Sequence, residues 1–272
     1  MIFFRSSTRL IPCSVRAAGA AILVAALGAC ATPPEDPVAR AAFEETNDPL
    51  EPLNRYIFDV NVAIDELVIT PIATIYTGVV PDIYQAGVRN FLQNLAMPVT
   101  MLNSALQGDG ENFVNSSVSF FINTTAGLGG IFDIPGNFDE EPRTEDCGQT
   151  LAVWGLDSGP YLVLPLIGPS DVRDTAGLGV DIATSPVTYV FTPGINYAFT
   201  GVTAVQFSAD NRTEYQALKR TSVDFYATLR SLYRQLRERQ IANGEVDPND
   251  LTYELSNVDE PADASLAEAV DP

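Results

Sequence analysis

Two long stretches of this chain carry no charge at all, Phe113–Phe132 and Ile182–Ala209. They lie in a chain of 272 residues with 35 acidic and 15 basic residues, a formal net charge of −20. Withholding charge over such lengths suits two environments. One is a buried protein core. The other is lipid, where a charged side chain costs about 2.5–3.5 kcal/mol or more at the bilayer centre. Pro186, Pro193 and Gly194 interrupt the second stretch, so it does not read as one spanning helix.

The first stretch carries a finer pattern. A helix is predicted from Asp109 to Thr125. On it Phe113, Val114, Val118, Phe121 and Ile122 gather on one side, and Asn112, Asn115, Ser116, Ser119 and Asn123 on the other. The polar side holds amides and hydroxyls where a solvent-facing helix usually holds charges. Such a stripe suits a contact between packed helices, or the wall of a wet cavity beside a membrane. The periodicity leaves both open.

Helical spacing dominates the rest of the chain, and strand alternation is scarce. Pro52–Glu66 is predicted as a helix, with Leu53, Tyr56, Ile57, Val60 and Ile64 on one face. Asp82 is expected to cap a helix through Leu95, and Pro98 to open a separate short one that ends at Gly108. A long helix is expected from Ala209 to Ala242, stopped at Asn243-Gly244. Its outer face would carry Arg212, Lys219, Arg220, Arg230, Arg234, Arg237 and Arg239. The expected fold class is mainly α.

At the N-terminus, Arg5, Arg9 and Arg16 precede a short apolar segment, Ala17–Leu27. That is about eleven residues where a spanning helix needs roughly 20, so residues 1–29 read as a cleaved export signal. Leu27-Gly28-Ala29-Cys30 resembles the lipobox of bacterial lipoproteins, which implies cleavage before Cys30 and a covalent acyl lipid on it. Residues 30–47 then form a lipidated, flexible tether. Residues 48–244 are the folded part, and 245–272 an acidic, disordered tail.

Composition excludes several chemistries. Without the three signal arginines, 12 basic residues face 35 acidic ones, a net charge of −23. Such a surface repels nucleic acid. The chain has no histidine, so no Ser-His-Asp or Cys-His arrangement is available. Its one lysine, Lys219, is followed by Arg220 and makes no phosphate-binding loop. No metal site and no cofactor beyond the acyl group are expected. With Cys13 in the signal and Cys30 acylated, Cys147 has no disulfide partner and reads as a small buried residue.

Residues 142–177 are apolar yet broken by Gly148, Gly155, Gly159, Pro160, Pro165, Gly168 and Pro169. Tyr161, Val163 and Pro165 suit a short extended piece or hairpin. This segment, "DPLEPLNR" at 48–55 and "FFINTTAGLGGIFD" at 120–133 together resemble the MlaA (VacJ) lipoproteins over roughly residues 47–243. The residues that carry the resemblance are Asp48, Pro49, Glu51, Asn54 and Arg55, then Gly127 and Gly129, then Gly148, Thr150, Gly155, Gly159, Pro160, Tyr161, Pro165, Gly168, Arg173 and Asp174. Asp48, Glu51, Asn54 and Arg55 are expected to organise the first helix, and Arg173 and Asp174 to pair. Cys147, Leu53 and Leu156-Asp157-Ser158 depart from the family pattern.

The resemblance implies a single ring-like helical domain with amphipathic helices partly embedded in the inner leaflet of a Gram-negative outer membrane. It implies an amphipathic channel that takes mislocalised phospholipids from the outer leaflet and passes them inward, maintaining lipid asymmetry. The implied partners are phospholipid, a trimeric outer-membrane porin and a soluble periplasmic lipid carrier. Under this reading the polar side of the 112–123 helix helps to line the channel. Two other readings stay open. Gly155–Gly159 resembles a lipase elbow with its serine displaced by one place, but the base is missing. A structural or assembly lipoprotein without transport is the second.

Overall fold

The computed structural model describes residues 46–134 and 142–243. The signal, Cys30, the tether up to residue 45 and the acidic tail lie outside the described residues. The chain divides into two compact units.

The first unit holds residues 46–63 and 159–172 of the described chain. Helix α1 (Glu51–Ile64) lies beside a two-stranded antiparallel hairpin, β1 (Tyr161–Leu164) and β2 (Gly168–Asp171), in the register Tyr161↔Asp171 to Leu164↔Gly168. Three asparagines seven residues apart hold β1. Asn47 donates to the Gly159 carbonyl (2.7 Å) and its own carbonyl accepts from the Tyr161 N–H. Asn54, 1% exposed, donates to Asp48 Oδ1 (2.8 Å) and the Tyr161 carbonyl (3.0 Å) and accepts from the Val163 N–H. Asn61 donates to the Leu164 carbonyl and accepts from the Leu166 N–H. The amides thus satisfy the strand edge that β2 leaves open.

Asp48 and Asn54 are buried parts of this contact, whereas Glu51 and Arg55 form a surface pair of 2.7 Å. Only the buried pair carries much stability, because exposed i,i+4 pairs contribute about 0.3–0.5 kcal/mol. Asn54→Ala would orphan a buried N–H and a buried carbonyl. It is expected to destabilise by about 2–3 kcal/mol and to speed amide exchange at Val163.

The second unit holds 64–158 and 173–243 among the described residues. Its helices are α2 (Thr70–Val79), α3 (Asp82–Gln107), α4 (Gly110–Thr125), α5 (Cys147–Val153), α6 (Val172–Thr184), α7 (Pro186–Val190), α8 (Pro193–Thr221) and α9 (Phe225–Ile241). Helices α3 and α4 pack along each other, α8 lies on α2 and α3, and α5 on α3 and α9.

Four features differ from the sequence expectation. A π turn, Asp65–Ile69, leads from α1 into α2, so residues 51–79 are helical without a break. Pro71 has no N–H for the Leu67 carbonyl, and the Thr70 N–H reaches instead to the Asp65 carbonyl. The run Glu51–Val79 is long and apolar enough, by length and composition, to cross a membrane. Secondly, α3 continues through Pro98 to the left-handed cap at Gly108, and Pro81 rather than Asp82 occupies its N-cap. Thirdly, the expected 209–242 helix is two helices. Its first part belongs to α8, which begins back at Pro193, and Asp224 caps α9 by accepting from the Ala227 N–H (3.1 Å). Fourthly, Arg237 is not on an outer face but is 9% exposed.

Candidate functional site

The second unit is built with its polarity reversed. The α4 residues Asn112, Ser116, Ser119 and Asn123 are buried, Ser116 completely, while Phe113, Val114, Val118 and Phe121 are exposed, Phe121 to 61%. Asn115 is half-buried. The stripe faces inward, and at Asn112 it is a contact with α3. Asn112 donates to Ser104 Oγ on α3 (2.8 Å) and to the Arg143 carbonyl, and accepts from the Arg143 N–H. Asn123 donates to Asp133 and accepts from the Ile134 N–H (2.9 Å).

Across the described residues the buried set is dominated by Asn, Gln, Ser, Thr and Asp, with only a few apolar members such as Phe58, Ala73 and Tyr161. Water-soluble folding bodies do the opposite. The outside carries Leu67, Ile72, Ile75 and Val79 around α2 and Ile83 and Tyr84 at the start of α3. It also carries Val153 at the end of α5, Trp154 and Leu156 just after it, and Tyr189, Val190, Tyr197, Val202 and Phe207 on α7 and α8. On α8 the change of solvent is abrupt. Nothing is charged from Pro193 to Ala209. Asp210 then meets Arg89 (2.5 Å), Arg212 donates to Thr74 (2.6 Å), and Lys219 meets Glu66.

A partly buried ionic cluster joins the start of α5 to α6 and α9. Arg237 of α9 binds both Asp146 oxygens (2.6 and 2.7 Å) and reaches Asp174 of α6 (2.5 Å). Tyr233 donates to Asp174 (2.6 Å), and the expected Arg173–Asp174 pair is present at 3.0 Å. Asp181 accepts from the Cys147 N–H (3.0 Å) and from Asn103 (3.1 Å), and the Thr150 hydroxyl donates to Asn103 (2.8 Å).

Gly148 and Gly177 make this closure possible. A Cβ on Gly148 would collide with the Arg237 guanidinium, and one on Gly177 would meet Gly148 Cα at 2.8 Å. The motif glycines therefore let α5 and α6 touch backbone to backbone. Of the other motif residues, Gly127 is buried in the turn after α4, and Gly129, Gly155, Gly159 and Gly168 take left-handed φ. Pro160 accepts from the Val172 N–H, Tyr161 is 1% exposed, and Pro165 sits in the hairpin turn.

Burial opposes the Arg237 charge, but Asp146 and Asp174 outweigh it and hold its pKa above the ordinary arginine value. Asp146 is pushed up by burial and pulled further down by Arg237 and Gln149, so it ends below the usual aspartate range. Burial raises Glu145 against the Gln107 hydrogen bond, and raises Asp181 against its two donors. Burial, with Asp181 and Asp146 nearby, also raises the Cys147 thiol, which suits an inert packing residue.

These shifts act in opposite directions on stability. The Asp146 contribution is complete above the ordinary aspartate value of about 3.9 and is lost as pH falls through its lower folded value. Glu145 binds its proton more tightly when folded, so its part of the stability grows as pH falls through the window between its raised folded value and about 4.3. Glu145→Gln is expected to flatten that part of the curve and to raise stability at neutral pH. Thermal unfolding in detergent across this pH range checks it.

Comparison with known proteins adds four findings. A family model described as MlaA lipoprotein matches residues 46–240. The Escherichia coli K12 intermembrane phospholipid transport system lipoprotein MlaA is 33% identical over 211 residues, covering 75% of this chain and 82% of that one. An uncharacterised protein of Rickettsia bellii is 34% identical over 198 residues, covering 72% and 78%. A structure solved in work on the structural basis for maintenance of bacterial outer membrane lipid asymmetry matches with a TM-score of 0.63 at 31% identity. The match covers 71% of this chain and 98% of that one.

Proposed function

The chain belongs to the MlaA lipoprotein family, and from that premise we propose that it is the outer-membrane lipoprotein of an intermembrane phospholipid transport system. In this reading it takes mislocalised phospholipids out of the outer leaflet and passes them inward, keeping the membrane asymmetric. The observation that carries the reading is the reversed polarity of the second unit: α4 buries its amides and hydroxyls and exposes Phe113, Val114 and Phe121. Apolar exposure on that scale is stable where the surroundings are acyl chains.

A phospholipid headgroup crosses hydrocarbon at a high cost because its polar groups lose hydration. A path lined with neutral hydrogen-bonding groups lowers that barrier and leaves the direction of the equilibrium unchanged. On the family resemblance, the polar side of α4, Asn112, Asn115, Ser116, Ser119 and Asn123, is assigned to such a path. Cys30 carries the acyl anchor on the periplasmic side. A porin trimer and a soluble lipid carrier are the expected partners, on the family resemblance.

Deletion of the gene tests the function. Loss of the protein should enrich the outer leaflet in phospholipid, full-length protein should restore asymmetry, and Cys30→Ser should not. Unaltered asymmetry on deletion would favour a structural lipoprotein instead. Asn115→Leu should slow lipid removal, as measured by outer-leaflet phospholipid content at equal protein abundance.

A further inference from the structure

Two leucines sit in backbone conformations that ordinarily belong to glycine or asparagine. Leu128, in the turn after α4, has φ 55°, and Leu166, in the β1–β2 turn, has φ 66°. An L-residue there crowds its Cβ against its own backbone. The usual return for such strain is a buried side chain, yet Leu128 is 66% and Leu166 74% exposed. Each belongs to a separate unit, and each stands at the tip of a turn whose base is tightly bonded.

Under Leu128, the Gly129 and Gly130 N–H groups donate to the Thr124 and Asn123 carbonyls, the Phe132 N–H to the Gly127 carbonyl, and Asn94 donates to the Gly129 carbonyl. Under Leu166, Asn61 clamps both Leu164 and Leu166. Neighbouring Ile131 and Phe132 in the one turn, and Ile167 in the other, are exposed as well. Both turns are therefore rigid mounts that present aliphatic side chains outward at a conformational cost.

We propose that Leu128 and Leu166 are wedges that insert among phospholipid acyl chains. The occupant follows from the chemistry of the tips. They are aliphatic. Leu128 also stands within a stretch with no charge from Phe113 to Phe132, continuous with the apolar surface of α4. An uncharged aliphatic tip of this kind suits hydrocarbon. The inference rests on the proposed membrane role of the folded part.

The test uses the full mature chain with Cys30→Ser, which removes the acyl anchor, and phosphatidylethanolamine–phosphatidylglycerol vesicles in a flotation assay. Each Leu is replaced by Ala, which keeps the strain, and by Gly, which removes it. Both replacements are expected to weaken vesicle binding roughly tenfold per site, the share of one buried leucine side chain. Glycine alone is expected to raise the melting temperature in detergent, by about 1–3 °C. Binding unchanged in all four variants, with the unsubstituted chain still floating, would overturn the wedge assignment alone. An unsubstituted chain that fails to float would overturn it together with the membrane reading. A glycine variant that melts lower would show that the leucines serve packing, and would also overturn it.

Discussion

Arg237→Met is expected to cost about 2–3 kcal/mol, because it leaves the part-exposed Asp146 without its counter-charge and the buried Asp174 with Arg173 alone. Asp146 and Asp174 both bond to this one guanidinium, at 2.5–2.7 Å, from segments far apart in sequence. Stabilities of folded domains are typically about 5–15 kcal/mol, so the variant should lose a large share of its stability and melt at a clearly lower temperature. The cause is the uncompensated charge, and the double variant Asp146→Asn, Arg237→Met, which leaves Asp174 to Arg173, separates it from lost packing. Removing both charges together should recover most of the loss. Thermal unfolding of the wild type, the single variant and the double variant in the same detergent measures this. A double variant as unstable as the single one would assign the effect to packing.

The second large effect concerns the outer surface. Ile75→Asp and Phe121→Asp alter residues that touch little of the protein, at 66% and 61% exposure. In water such changes fall within about ±0.5 kcal/mol and improve solubility. In hydrocarbon each new carboxylate costs about 2.5–3.5 kcal/mol. The double variant is therefore expected to leave the membrane fraction when the acyl anchor is absent, with a partition coefficient lowered by several thousandfold. It should also melt in mild detergent as the wild type does. Fractionation of the Cys30→Ser chain with and without the two changes reads this directly. Equal partition of both chains would place these faces in water or against protein.

Much of the fold was legible because it depends on local rules. The α4 helix was predicted to within a residue, since Asp109 is an N-cap aspartate followed by period-3.6 apolar spacing. The hairpin at Tyr161–Asp171 was legible from glycine and proline punctuation. What periodicity cannot supply is the solvent. It separates Phe113 and Phe121 from Asn112 and Asn123, but which side faces inward depends on whether water or lipid lies outside.

Other misses came from non-local competition. Nothing within 209–242 breaks the helical spacing, so the break at Ser222–Asp224 rests on one aspartate caping α9. Pro98 reads as a helix start, yet α3, which packs against α4, α5 and α8, runs through it. The ionic cluster was half visible. Arg173 and Asp174 are adjacent and were paired from sequence. Asp146 and Arg237 are 91 residues apart, and the helical wheel assigned Arg237 to solvent. A signal for it existed in Gly148, which leaves room for a guanidinium that no wheel displays.

The central claim is that the exposed apolar surface of this chain lies among acyl chains, and the single tryptophan reports on it without any substitution. Trp154 is 56% exposed, next to exposed Val153 and Leu156, and its indole N–H already donates to the Leu106 carbonyl (3.1 Å). Its ring can therefore enter hydrocarbon without stranding a donor. In vesicles containing phospholipids brominated on the acyl chain, Trp154 emission should shift to the blue and be strongly quenched, while aqueous iodide leaves it untouched. Red-shifted emission, quenched by iodide and indifferent to the brominated chains, would contradict the account.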